Sequence, residues 1–223
     1  MTFTNFKDIA ESRNQVITIS HVATTNEVSF PAFLTEYSDN YSVSWGTEQV
    51  FGRADPVKPY QSTGRQIQIG FDVLSPSFEA ARENMAKYTV LTKMLYPVYS
   101  QPLSEAASIT SRGRTVVGPP LLRVKFVNFI QSADGSGSLL GCIEGVNFAP
   151  NRDPGFFSAA NGEIFPKLFN ISFRFTPQHE SVLGWDSVTR EFITPTFPYS
   201  ADSITAGTST RRSPTRALNG GSE

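Results

Sequence analysis

Apolar and polar residues alternate one for one in several segments of the chain, and that period of two is the signature of strands with one dry and one wet face. From Gln66 to Val73, Ile67, Ile69, Phe71 and Val73 share one side, and Gln66, Gln68 and Asp72 the other. Leu121 to Gln131 repeats the pattern: Leu122, Val124, Phe126 and Ile130 lie opposite Arg123, Lys125 and Gln131. Ile164 to Phe175 sets Phe169, Ile171, Phe173 and Phe175 against Asn170, Ser172 and Arg174. Leu139 to Phe148, which contains Glu144, is predicted to pair across the Asp134-Gly135 turn. Gln15 to Val22 is β-rich. Val28 to Leu34 carries Pro31, which makes it an edge or bent strand. Tyr41, Val43 and Trp45 alternate with Ser42, Ser44 and Gly46, which predicts a half-buried strand and, over residues 27–50, a long hairpin.

One stretch breaks the period. Phe78, Ala81, Met85, Tyr88, Thr92 and Leu95 recur at steps of three and four, predicting a helix over 76–95. Ser75 is placed to cap it, Pro76 to open it and Pro97 to stop it. Residues 100–120 and 149–162 read as loops, and periodicity fades after Phe175. The fold class is therefore mostly β with one main helix (α+β). Residues 1–13 form an N-terminal arm, 14–185 the domain, and 186–223 a C-terminal extension. The extension ends in a Ser, Thr, Gly and Arg-rich stretch that buries too little apolar area to order without a partner.

Composition adds that the surface is under-charged. Charged residues make up 17% of the chain, against about a quarter in typical domains. There are also 18 Phe, a residue enriched at interface cores. Both point to surface covered by partners. A net charge of −1 gives the whole chain no basic footprint for tight nucleic-acid binding. The single cysteine, Cys142, excludes an intrachain disulfide and reads as a buried strand thiol. The N-terminal residues lack the pattern of a secretory leader, and no run of 18 apolar residues predicts a membrane span.

Candidate chemistry is sparse. The two histidines, His21 and His179, are distant in sequence and fall in a β-rich run and a loop. With one cysteine, they suggest neither a metal site nor a nucleophile–base pair. Glu79 and Glu83 sit on a helix face with Arg82 and Lys87, and Glu144 on a strand is better placed in a polar channel than as an acid catalyst. No catalytic, cofactor or metal residues are expected.

The most distinctive segment runs from Gly52 to Gly64, with two prolines and Arg53, Asp55 and Lys58, followed by Arg65. Phe51, Gly52, Arg53, Asp55, Pro56, Tyr60, Gln61, Thr63 and Arg65 form a block that is followed by a strand and by Ser75, Ser77, Glu79, Ala80, Ala81, Arg82 and Asn84 at a helix start. Leu95-Tyr96-Pro97-Val98-Tyr99 closes it. This arrangement, over roughly residues 40–185, resembles the tail-tube initiators and related baseplate tail-tube proteins of contractile-tailed, T4-like bacteriophages.

The resemblance implies a tail-tube-like fold, two packed antiparallel sheets flanked by a helix, and a homohexameric ring whose strands join in one inner barrel. It implies a structural virion protein, assembled in the host cytoplasm, that starts the tail tube at the baseplate hub and lines the DNA channel. Its partners would be its own copies, the next tube ring and hub proteins, with sheath or wedge proteins at the C-terminal arm; DNA passes without specific binding. A tail-tube or tube-terminator role fits the same resemblance, and a secretion-system tube component or a tail-associated peptidoglycan hydrolase remain alternatives. Arg53, Asp55, Lys58, Tyr60 and Arg65 are the candidate subunit contacts, with an internal structural loop as the other reading of that segment. Gln66, Gln68, Asp72, Arg123, Lys125, Glu144, Asn170, Ser172 and Arg174 are the candidate lumen residues.

Overall fold

A computed structural model describes residues 15–31, 33–100, 114–135 and 137–199. The expected N-terminal arm, the end of the C-terminal extension and most of the 100–120 loop lie outside them. The strands are β1 (Val16–His21), β2 (Glu27–Pro31), β3 (Phe33–Trp45), β4 (Tyr60–Leu74), β5 (Val98–Tyr99), β6 (Val116–Gly118), β7 (Leu122–Phe126), β8 (Leu139–Pro150), β9 (Phe156–Ser158), β10 (Ile164–Pro166) and β11 (Leu168–Pro177). One helix, α1 (Phe78–Met94), follows β4.

Seven strands form one antiparallel sheet in the order β2-β1-β7-β8-β11-β4-β3. Its two outermost strands, β2 and β3, are separated by a single residue. Two Cα steps span under ~8 Å, so the sheet must curl until its first and last strands approach each other. The dry positions read from the alternation meet inside that curl. Ile17, Ile19, Phe30, Ile67, Ile69, Phe71, Leu122, Val124, Phe169, Ile171, Phe173 and Phe175 are all buried in one core. Phe30 of β2 meets Phe71 of β4 at 6.0 Å between ring centroids, joining the two halves. The two layers of the fold are thus halves of one sheet.

Strand β8 makes the curl possible. Its first three residues pair with β7 and the rest with β11. Asn147 pairs with Ser172 and Glu144 with Arg174, so Gly145 and Val146 oppose the single residue Phe173. Gly145 takes φ 65° there, a glycine bulge that bends the strand and sharpens its twist. Gly141 allows a different contact. A Cβ built on it would sit 2.4 Å from the Thr176 carbonyl and 2.8 Å from the Phe175 ring.

Several local expectations change. Residues 27–50 are not a hairpin: β2 pairs with β1, and β3 with β4. The long hairpin is β3–β4, and the Gly- and Pro-rich block is its tip. Pro31 ends an edge strand, as its missing N–H favours. The helix is capped by Ser77, whose hydroxyl accepts from the Ala80 N–H at 3.2 Å. Ser75 instead accepts a buried hydrogen bond from Asn84 at 2.9 Å, tying β4 to the helix. The buried helix stripe runs through Ala81, Asn84, Leu91 and Met94, with Tyr88 stacked on Phe148 of β8 at 4.6 Å. Strand β7 stops at Phe126, because Val127 enters the left-handed region at φ 47°. Ile130 then returns to bridge to Phe126. Within the stretch expected as loop, Val116–Gly118 pairs with Val98–Tyr99. Cys142 is only half-buried.

Candidate functional site

The candidate surface is built on β3 and β4. Strand β11 accompanies β4 only from Leu74 to Ile67, so the outer part of the hairpin projects as a two-stranded ribbon. Six or seven residues per strand beyond that point span about 20 Å. The pairing continues into the tip: the Gly46 N–H donates to Pro59 O at 2.8 Å, and Glu48 and Val57 exchange bonds at 2.9 Å. Lys58 Nζ donates to Thr47 Oγ1 at 2.6 Å across the loop. Arg53 and Asp55 stand exposed at the turn, where Gly52 adopts φ 82°.

The ribbon has two unlike faces. Tyr41 is paired with Arg65, Val43 with Thr63 and Trp45 with Tyr60. By strand alternation this face continues the core-facing side of the sheet. Its outer part is uncovered: Trp45 is 55% and Tyr60 58% exposed, their rings edge to face at 5.7 Å. This corrects the half-buried strand expected at Tyr41, Val43 and Trp45. The other face carries Asn40 with Gln66, Ser42 with Gly64, and Ser44 with Ser62. Gln61, the extra residue of a bulge opposite Ser44 and Trp45, accepts from the Ser44 hydroxyl at 2.9 Å. Among the described residues no strand pairs with the outer edge of β3, nor with β4 outside Ile67.

The small polar face runs without a break onto the wet side of β4, β8 and β11. Gln66, Gln68 and Asp72 follow each other along β4. Asn170 Nδ2 donates to Asp72 at 2.9 Å and to Thr35 at 3.1 Å. Gln68 donates to Glu36 at 2.8 Å. Glu144 accepts from Thr176 at 3.1 Å and lies beside Arg174 in register. Gln68, Glu144, Ser172 and Arg174 border a shallow depression of about 260 Å³. Six of the nine candidate lumen residues (Gln68, Asp72, Glu144, Asn170, Ser172 and Arg174) therefore lie in one patch, with Gln66 adjoining on the ribbon. Arg123 and Lys125 sit around the bend on β7, and Arg123 is held by Glu180 in two bonds of 2.7 and 2.8 Å. That pairing keeps the Glu180 carboxyl below its usual range.

At the ribbon's base lies a cluster that pattern reading did not find. Arg65 is buried and donates through Nε and Nη2 to both Asp39 oxygens, at 2.7 to 3.2 Å. Burial disfavours the Arg65 charge, but the bonds and field of Asp39 outweigh it and hold its pKa above the usual range. Of the candidate contacts, Arg65 is thus engaged within its own chain, while Arg53, Asp55, Lys58 and Tyr60 are exposed along the projecting part. Asp39 also accepts from the Tyr41 hydroxyl at 3.2 Å and from the Tyr199 hydroxyl at 2.8 Å. Burial raises the pKa values of Tyr37 and Tyr41, with Asp39 adding to it.

Tyr199 belongs to a strap, residues 178–199, that runs back across the core-facing side of the ribbon base. Phe197 meets Tyr41 edge on at 6.2 Å and lies 5.4 Å from the Arg65 guanidinium. Thr196 donates to Ala133 O at 2.6 Å, and Asn128 donates to Tyr199 O at 3.4 Å. Residues 196–199, expected to lie in the extension, are therefore packed on the domain. The signal in the sequence was the aromatic series Phe192, Phe197 and Tyr199, which has no helical or strand period.

No protein-family model matches the chain, and no curated protein does. Among solved structures it is similar to SPP1 Dit, described as a paradigm of the hub adsorption apparatus in Gram-positive infecting phages. That match has a TM-score of 0.36 and 12% identity, and covers 73% of this chain and 50% of that one. The chain spans about half the length of that protein, and a functional reading has to rest on its own residues.

Proposed function

We propose that this chain is a ring-forming structural subunit of a phage tail, placed at the hub-to-tube junction, where its ring templates the first ring of the tail tube. The ribbon carries the reading. It brings two free strand edges, one on β3 and one on β4, that run antiparallel. Exposed edges of this kind pair with other chains unless blocked. Joining β3 of one copy to β4 of the next continues the antiparallel order indefinitely, and a closed ring pairs both ribbon edges of every copy.

The two faces fix which side lines the bore. The face of Asn40, Ser42, Ser44, Ser62, Gly64 and Gln66 is small and uncharged, which suits a channel that passes DNA without holding it. The Trp45 and Tyr60 face is apolar and suits protein. Arg53, Asp55 and Lys58 would meet a neighbouring copy or ring at the tip. A six-fold ring and the initiator role come from the resemblance of the Phe51 to Tyr99 blocks to tail-tube initiators. A preformed ring lowers the ordering cost that each incoming tube subunit meets.

The role has a direct genetic test. In a phage lacking this protein, complete baseplates without tubes are expected by electron microscopy. Tubes of normal length on those baseplates would refute the initiator role.

A further inference from the structure

His179 is the least satisfied polar group of the strap. Both its ring nitrogens are buried and lack a hydrogen-bond partner. Its ring meets Phe197 edge on at 5.5 Å. It lines an apolar pocket of about 390 Å³ together with Tyr41, Tyr60, Arg65, Phe192 and Phe197. A neutral imidazole tolerates this site, whereas an imidazolium needs an acceptor for each of two N–H groups.

The carboxylates around it are already engaged. From β3, the Asp39 carboxylate already accepts from Arg65, Tyr41 and Tyr199. From β4 the facing charge is Arg65, of the same sign as imidazolium. Burial raises the pKa of Tyr41, so its hydroxyl stays neutral. On its own segment, Glu180 is bound to Arg123 of β7. Asp134, whose charge is felt at Glu180, accepts from Ser132. Burial first and Arg65 second lower the His179 pKa, and Asp39 only partly opposes them.

We infer that residues 178–199 are an acid-released strap: closure over the ribbon base requires neutral His179, and protonation frees the Phe192 to Tyr199 segment from Tyr41 and Arg65. The sign follows from linkage. A histidine whose closed-state pKa lies below its free value of about 6.5 supports closure above that pH, and the support is lost as pH falls below it. At pH 5.0 the opening constant can rise by at most ~30-fold if the closed state takes up no proton. Strap opening needs no ring, so it stands independently of the proposed function.

The test is hydrogen exchange of the full chain at pH 7.5 and 5.0, corrected for intrinsic exchange rates. Residues 183–199 are expected to lose about tenfold in protection at the lower pH, with β7 unchanged. The chain has only two histidines. His179→Phe keeps an aromatic ring against Phe197 and is expected to abolish the pH response, whereas His21→Phe keeps it. Equal protection at both pH values in the wild type, or a response that survives in His179→Phe, overturns the inference. Should His179→Phe fail to fold, an NMR titration of the wild-type imidazole decides. A pKa below 6.5 that moves together with the strap signals supports release. An ordinary pKa, or strap signals that do not follow it, refutes it.

Discussion

Asp39→Ala is expected to destabilise the protein by about 3–5 kcal/mol, because it leaves the Arg65 guanidinium buried and unpaired. Both side chains are almost sealed from solvent, at 3% and 4% exposure, so water cannot replace the lost carboxylate. The same change removes the acceptor of the Tyr41 and Tyr199 hydroxyls, and the strap loses its bond to Asp39 of β3. Urea unfolding monitored by far-UV circular dichroism measures the loss. The cause is separable from simple cavity formation. Asp39→Ala combined with Arg65→Met removes the orphaned charge and is expected to recover most of the stability, since apolar replacement of a buried pair is commonly near neutral. A double variant as unstable as Asp39→Ala would mean that the charge is not the reason.

Gly141→Ala is expected to cost about 3 kcal/mol, although it adds one methyl group. Overpacking a filled core costs about 1–3 kcal/mol, and more where nothing yields. Here the methyl meets the Thr176 backbone carbonyl at 2.4 Å, and that carbonyl is held in the β8–β11 ladder where Gly141 faces Pro177. Relief would mean parting the two strands at the point where β8 changes partners. Gly145→Ala in the same strand is the comparison: its Cβ meets nothing within 4 Å, and only φ 65° opposes it. That cost is about 1–2 kcal/mol. Equal thermal shifts for the two variants would contradict the packing account.

The alternation of apolar residues identified the core facing of β4, β7 and β11, because a half-buried sheet needs a period of two. It did not identify partners. Residues 27–50 looked like a hairpin because both halves are strands, but periodicity says nothing of pairing, and one curled sheet lets adjacent strands sit at opposite ends. Ser75 and Ser77 are both chemically fit to cap a helix. The choice fell to Ser77 because Asn84 binds Ser75, a contact nine residues away that no capping rule contains. Val127 ends β7 through a backbone conformation that a β-branched side chain disfavours, so its sequence argued for a longer strand. The Arg65–Asp39 pair was not legible: Arg65 read as a contact residue beside the Gly- and Pro-rich block, and its partner lies 26 residues earlier. The strap left only the aperiodic aromatics Phe192, Phe197 and Tyr199 as a trace, since they pack by tertiary contact alone.

The ribbon's polar face was partly legible too. Gln66, Gln68 and Asp72 marked the wet side of β4. The neutral stretch of Ser42, Ser44, Ser62 and Gly64 became meaningful only once β3 and β4 were paired in register. It is also the stretch that sets the account apart from one in which copies merely stack through exposed aromatics.

A cryo-electron microscopy map of the assembled protein at side-chain resolution tests that account most directly. The predicted result is a six-fold ring whose inner wall has two strands per copy, β3 joined to β4 of the neighbour, with Ser42, Ser44, Ser62 and Gln66 facing the bore. A ring whose ribbons point outward, or whose bore is lined by Val43, Trp45 and Tyr60, would contradict it.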